Sequence, residues 1–195
     1  MEYSAKLKNL SAAERILYIH DLTKDGVNLD LILESIIADD DLALYKFYAK
    51  QYLDMLDGTV LGLCVKHKAS NILIYLESCN QAWFNIKNDY NITSVILTAI
   101  DELDYSDILA FSSLTGILFR AYKHTGVTNA ILDLYKAFMI RCIKNKKYFF
   151  LNTFHNHVRG LFEDKVGDLA LDKLLKNYMS EEELNNYNEN YRLDI

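Results

Sequence analysis

Gly58-Thr59-Val60-Leu61-Gly62-Leu63-Cys64-Val65-Lys66-His67 is followed, after a short polar break, by Asn71-Ile72-Leu73-Ile74-Tyr75-Leu76-Glu77. The first stretch is almost continuously apolar and the second is amphipathic, which predicts two short helices joined by a tight turn. A similar pair follows: Ile92-Thr93-Ser94-Val95-Ile96-Leu97-Thr98-Ala99, an acidic turn at Asp101-Glu102-Leu103-Asp104, then Ser106-Asp107-Ile108-Leu109-Ala110-Phe111. Thr59 and Thr93 stand 34 residues apart, and a recurrence of that length is what stacked helical repeats display.

The composition points the same way. The 195 residues include no Pro and only seven Gly. Sheet-rich chains of this size use Gly and Pro to make tight turns, so their scarcity predicts an all-α fold with short polar connections. With 51% apolar and 25% charged residues, the chain has the makeup of a folded domain rather than a disordered one.

Outward from the central pairs, Ser11-Ala12-Ala13-Glu14 reads as a capping box opening a helix over about residues 12–22, which stops near Lys24-Asp25-Gly26. Leu29 to Ile37, an acidic turn at Asp39-Asp40-Asp41, and Leu44 to Leu56 read as helix, turn and helix. Beyond the second pair, Leu114 to Tyr122, a long helix opened by Thr128, Tyr148 to Val158 and Leu169 to Tyr178 read as further helices. A second capping box at Ser180-Glu181-Glu182-Glu183 leads into an Asn-rich end without apolar spacing. The organisation expected is a single domain over 1–195: helix pairs at 29–112, additional and capping helices at 113–179, and a frayed tail at 180–195.

Thr59-Val60-Leu61-Gly62-Leu63-Cys64-Val65 with Ile72-Leu73-Ile74-Tyr75-Leu76, and Thr93 to Ala99 with Ile108-Leu109, resemble diverged ankyrin repeats, and Leu31 to Phe47 resembles a third copy of shorter period. The resemblance covers residues 29–112 and implies a short solenoid of antiparallel helix pairs whose concave face and loops bind another protein. The residues by themselves leave open an irregular helical bundle whose hairpins recur near this length. The bias toward Lys, Asn, Tyr and Ile hints at an AT-rich genome, and in an intracellular pathogen or virus the resemblance would imply a host-directed effector.

Charge and motifs narrow the function classes. A formal charge of −6 is the wrong sign for a chain that neutralises phosphates, so no nucleic-acid partner is expected. The basic stretch Arg141-Cys142-Ile143-Lys144-Asn145-Lys146-Lys147 falls where one helix should end, a place the helix dipole favours for cations. No apolar run is long enough to insert in a membrane, no secretory signal is recognisable, and three scattered cysteines fit reduced thiols, so the expected location is cytoplasmic, of the producing cell or of a host. No phosphate-binding loop, zinc-protease or nucleophile-elbow motif occurs. Asp39-Asp40-Asp41 reads as a helix start rather than a metal site, His155 and His157 stand at the wrong helical spacing to share zinc, and Cys64 beside His67 reads as packing. Asp101, Glu102, Asp104 and Asp107 read as a solvated turn.

The reading adopted is a non-enzymatic protein–protein interaction module needing no cofactor and no metal. Tyr105, Trp83 and Phe84, in or beside loops between helix pairs, are the candidate contact residues, because aromatic rings with a polar tip are favoured at binding surfaces. Tyr45, Phe47, Tyr75, Phe138 and Phe149 are assigned to the core. Two rival readings differ in class: a small helical enzyme whose pocket collects His67, Glu102, His155 and His157, and a structural or immunity-type partner protein.

Overall fold

A computed structural model of the chain describes residues 2–52, 58–79, 90–125, 129–161 and 171–192. Among these residues every regular element is helical: α1 (Glu2–Lys8), α2 (Ala12–Lys24), α3 (Leu29–Ala38), α4 (Leu42–Tyr52), α5 (Gly58–Lys66), α6 (Ser70–Ser78), α7 (Tyr90–Glu102), α8 (Ile108–Thr125), α9 (Asn129–Lys144), α10 (Tyr148–Leu161), α11 (Leu171–Tyr178) and α12 (Glu181–Asn190). A 3-10 turn at Tyr105–Asp107 precedes α8. The chain is therefore all-α, as its lack of turn formers implies. It divides into two compact units, Met1–Phe84 with α1 to α6 and Asn85–Ile195 with α7 to α12.

In the first unit α3 packs against α4 and α5, α4 against α6, and α5 against α6, so two consecutive helical hairpins lie side by side; α1 closes against α3 and α4. The apolar stripes explain the pairing. Ile32, Ile36, Ile37, Leu61, Cys64 and Ile72 are all at most 1% exposed, and burying an aliphatic side chain of this size contributes about 1.5–3 kcal/mol. On α2 the stripe is thin: Ile19 is buried, while Ile16 and Leu17 face outward.

One turn recurs. After α3, α5 and α9 the backbone enters the left-handed region at Asp40 (φ 47°), Lys68 (φ 55°) and Lys146 (φ 56°). Each turn closes with the same two hydrogen bonds: Asp40 and Asp41 N–H donate to the Ile37 and Ile36 carbonyls, Lys68 and Ala69 to Val65 and Cys64, Lys146 and Lys147 to Ile143 and Cys142. These are Schellman closures. The residue after each left-handed one stands immediately before the next helix, which leaves three residues between the paired helices. Gly26 closes α2 in the same way at φ 85°, and glycine suits that region because it lacks a Cβ.

The second unit repeats the arrangement with longer helices. α7 packs on α8 and α9, α8 on α10, α9 on α10 and α11, and α11 on α12. Its interior is aromatic: the Phe111 and Phe150 rings stack at 4.0 Å, Phe138 and Phe154 at 5.6 Å, and Phe119 and Tyr135 at 4.9 Å. Such ring pairs add about 0.5–1.5 kcal/mol beyond the area they bury.

Three differences from the sequence reading have local causes. Thr93 lies inside α7, which is already helical at Tyr90, rather than at its start. α8 runs without a break through residue 112, because Ser112 and Ser113 sit within the apolar rhythm instead of interrupting it. The segment read as a frayed tail is helical over Glu181–Asn190 and buries Tyr187 at 1% exposure, held by a partner on α10 that lies far away in sequence.

Candidate interaction surface

The connection between α7 and α8 places its exposed aromatic residue from below. Leu103 is fully buried and anchors the chain. Asp104 and Asp107 then cap the turn reciprocally, with Asp104 N–H donating to Asp107 Oδ2 at 3.0 Å. The 3-10 turn between them leaves Tyr105 62% exposed, and Leu109, one helical turn on, is 65% exposed.

Side chains from the end of α9 and its turn into α10 fix this connection. Arg141 donates from Nε and Nη2 to both carboxylate oxygens of Asp101, at 2.8 and 2.7 Å, and Asn145 Nδ2 donates to Asp101 Oδ1 at 2.6 Å. Lys147 Nζ donates to the Leu103 carbonyl at 2.7 Å and to Asp104 Oδ1 at 3.1 Å. The Arg141 guanidinium beside Asp101 holds its carboxyl below the usual range, and the carboxylate in turn raises Arg141. Asp101, Asp104 and Asp107, read from sequence as a solvated string, thus all have structural partners; Glu102 stays exposed.

Tyr105 rests on Phe149, the second residue of α10, with ring centroids 4.2 Å apart. Phe149 is 40% exposed, which corrects its assignment to the core: it stands on the outer face while its neighbours Tyr148 and Phe150 turn inward. Phe149 also meets the edge of Tyr191 at 5.2 Å. Tyr105 on the hydrogen-bonded turn, Leu109 on α8 and Phe149 on α10 are therefore outward-facing aromatic and aliphatic side chains. Of the expected contact residues, Tyr105 is among them, whereas Trp83 and Phe84 lie outside the described residues. Leu109 and Phe149 were missed because an apolar residue near a helix start reads as core unless the direction it faces is known. Of the others assigned to the core, Tyr45 and Phe138 are buried, and Phe47 and Tyr75 are half-buried.

The remaining candidate residues have local roles. Cys64 is fully buried, and burial pushes its thiol well above the usual range. His67, three residues on, instead places Nε2 2.9 Å from Glu34 Oε1, which Lys66 Nζ also reaches at 2.6 Å. Those two contacts, Lys66 first, lower the Glu34 carboxyl. Asp40 accepts from the Asn71 and Ile72 N–H groups at the start of α6, Asp41 accepts from Leu44 N–H at the start of α4, and Asp39 pairs with Ser4 and Lys8. The three aspartates thus act at helix starts, or pair with α1. His155 is half-buried on α10, and the side chain of His157 lies outside the described residues. Among the described residues no group of His, Cys, Asp and Glu side chains is placed to hold a metal ion, and no helix is long and apolar enough to cross a membrane.

No family model, curated protein or solved structure matches the chain.

Proposed function

We propose that the chain is a non-enzymatic protein-interaction module, a short stack of antiparallel helix pairs of ankyrin-like kind that binds another protein through the surface around Tyr105. The observation that carries this reading is the combination at one place of exposed apolar side chains and a turn held by side-chain hydrogen bonds. Tyr105, Leu109 and Phe149 are 62%, 65% and 40% exposed, while Arg141, Asn145 and Lys147 hold the end of α7 and the turn that presents Tyr105. Preorganised aromatic side chains lose little entropy on binding, which is why such positions become interface anchors. The repeat reading is supported by the side-by-side hairpins of each unit and by the recurring left-handed turn at Asp40, Lys68 and Lys146. Trp83 and Phe84 are proposed as further contacts on the same reasoning as at the sequence level. Action in a cytoplasm is proposed from the three scattered cysteines, and action on host proteins, if the source is an intracellular pathogen or virus, from the resemblance.

The experiment is quantitative affinity capture from cells that express the chain, with wild type, the double variant Tyr105→Ser/Leu109→Ser, and Leu17→Ser as a control on the other unit. The expected result is a protein enriched by wild type and by Leu17→Ser but lost with the double variant. All three substitutions are at exposed positions, so melting temperatures should stay close to wild type. An enriched set that is identical with the double variant, or no enrichment at all, would overturn the reading.

A further inference from the structure

We propose that α12 is a displaceable lid that closes, within the molecule, the α10 face continuous with the Tyr105–Leu109–Phe149 surface, so that its opening controls how much of that surface a partner can reach. The inference deepens the interaction reading above and rests on it.

The sequence of α12, Glu181-Glu182-Glu183-Leu184-Asn185-Asn186-Tyr187-Asn188-Glu189-Asn190, is a poor helix by itself. It is ten residues long, rich in Asn, and Tyr187 is its one buried residue among those described. Short helices of such composition do not persist alone in water, so its order comes from contacts.

Besides its packing on α11, where Arg192 also reaches Asp172 at 3.3 Å, α12 is held by the first turns of α10 and the turn before it. Tyr187 Oη donates to Asn152 Oδ1 at 2.5 Å, and Asn152 Nδ2 donates to the Tyr191 carbonyl at 2.7 Å. The side-chain amide of Asn152, 8% exposed, is thus engaged at both ends by the lid. The rings of Tyr187 and Tyr191 lie 5.5 and 4.9 Å from Tyr148, and the exposed pair Lys146–Glu183 spans 3.2 Å at the other end of the helix. An exposed pair adds little, so the Tyr187 ring and the Asn152 amide are the interior attachments of α12 to α10, beside its packing on α11.

Phe149 lies at the seam, in contact with both Tyr105 and Tyr191. Release of α12 would uncover Tyr148, now 5% exposed, and present the donor and acceptor of Asn152 beside the exposed rings. An apolar surface with one buried amide at its centre is more selective than rings alone, because a partner that fails to satisfy the amide leaves it unpaired.

Hydrogen exchange read by mass spectrometry on the full chain, with no partner present, tests the lid. In wild type, amides of residues 181–190 should exchange ~100-fold or more faster than those of residues 150–154, the signature of local opening under a stable core. Tyr187→Phe, which removes only the hydroxyl, should speed exchange in α12 by a further ~10-fold while leaving α10 unchanged. Ser180→Ala, which removes the helix cap without touching the interior, should act in the same direction and keeps the test open if Tyr187→Phe disturbs folding. Exchange of α12 and α10 at one common rate in wild type and in Ser180→Ala would overturn the lid. Exchange is read without a partner, so it can fail while capture succeeds, and the two failures are distinct.

Discussion

Asp40, Lys68 and Lys146 hold the same left-handed position with side chains of opposite charge, so the position itself does not demand either. For a residue with a Cβ that conformation costs about 1–2 kcal/mol, which glycine avoids while adding freedom to the unfolded chain of about 0.4–1 kcal/mol. The backbone term at Lys68→Gly is therefore favourable. Asp40→Gly gains the same relief but removes the carboxylate that accepts from Asn71 and Ile72 N–H groups at 3.0 and 3.1 Å, and loss of a cap costs about 1 kcal/mol. Urea unfolding should place Lys68→Gly above Asp40→Gly by about that amount; the reverse order would mean that the carboxylate is not capping α6. The tight acidic turn was legible in Asp39-Asp40-Asp41, but which aspartate caps which helix was not, because Asp40 acts on a helix thirty residues away. The same limit applies to Phe149. Its neighbours Tyr148 and Phe150 are equally aromatic, and only the phase of α10 against its packing partners decides that Phe149 faces out.

At the scale of whole helices, local signals marked where a helix begins. The capping boxes at Ser11 and Ser180 open α2 and α12 as read, with Ser11 N–H donating to Glu14 Oε2 at 2.7 Å and Ser180 N–H to Glu183 Oε2 at 3.1 Å. They did less well where distant contacts supply the order. α1 carries no cap signal and is fixed by buried Leu7, by Ser4 N–H donating to Ser35 Oγ at 3.1 Å, and by packing on α3 and α4. The persistence of α12 depends on Tyr187, whose burial pushes its phenol up to about 12. An unfolded tyrosine ionises near 10, so the folded form favours the neutral ring. Attachment of α12 is then complete below pH 10 and weakens as pH rises from 10 toward about 12. Two-dimensional NMR should show α12 signals moving toward unstructured positions over that interval. In Tyr187→Phe the α12 signals should hold at pH 11 whatever positions they have at pH 9. Persistence of wild-type α12 signals unchanged to pH 12 would count against burial as the holding force.

Each compact unit carries a carboxylate clamp between the first helices of neighbouring hairpins, and the two clamps give the whole molecule a common acid limit. In the first unit Glu34 on α3 meets Lys66 and His67 at the end of α5; in the second, Asp101 on α7 meets Arg141 and Asn145 at the end of α9. Both carboxyls are lowered, Glu34 first by Lys66 and Asp101 first by Arg141, and Asp39 is lowered first by Ser4. A carboxyl lowered on folding contributes stability that is present above its unfolded value and is lost as pH falls through the folded one. The ordinary values are 4.5 for Glu34 and 3.8 for Asp39 and Asp101, so stability should hold steady above about pH 5 and fall progressively below about pH 4.5. The pairs are partly exposed, with Arg141 and Asp101 side chains 48% and 36% accessible, and solvent and salt screen them, so each clamp contributes modestly. The discriminating measurement is urea unfolding at pH 7, 5, 4 and 3, on wild type and Asp101→Asn. Asp101→Asn should lower stability at pH 7 and narrow its gap to wild type at pH 3, where the wild-type carboxylate is increasingly protonated. A gap that stays constant across this range would mean that Asp101 acts through packing alone, and the clamp between α7 and α9 would not be electrostatic.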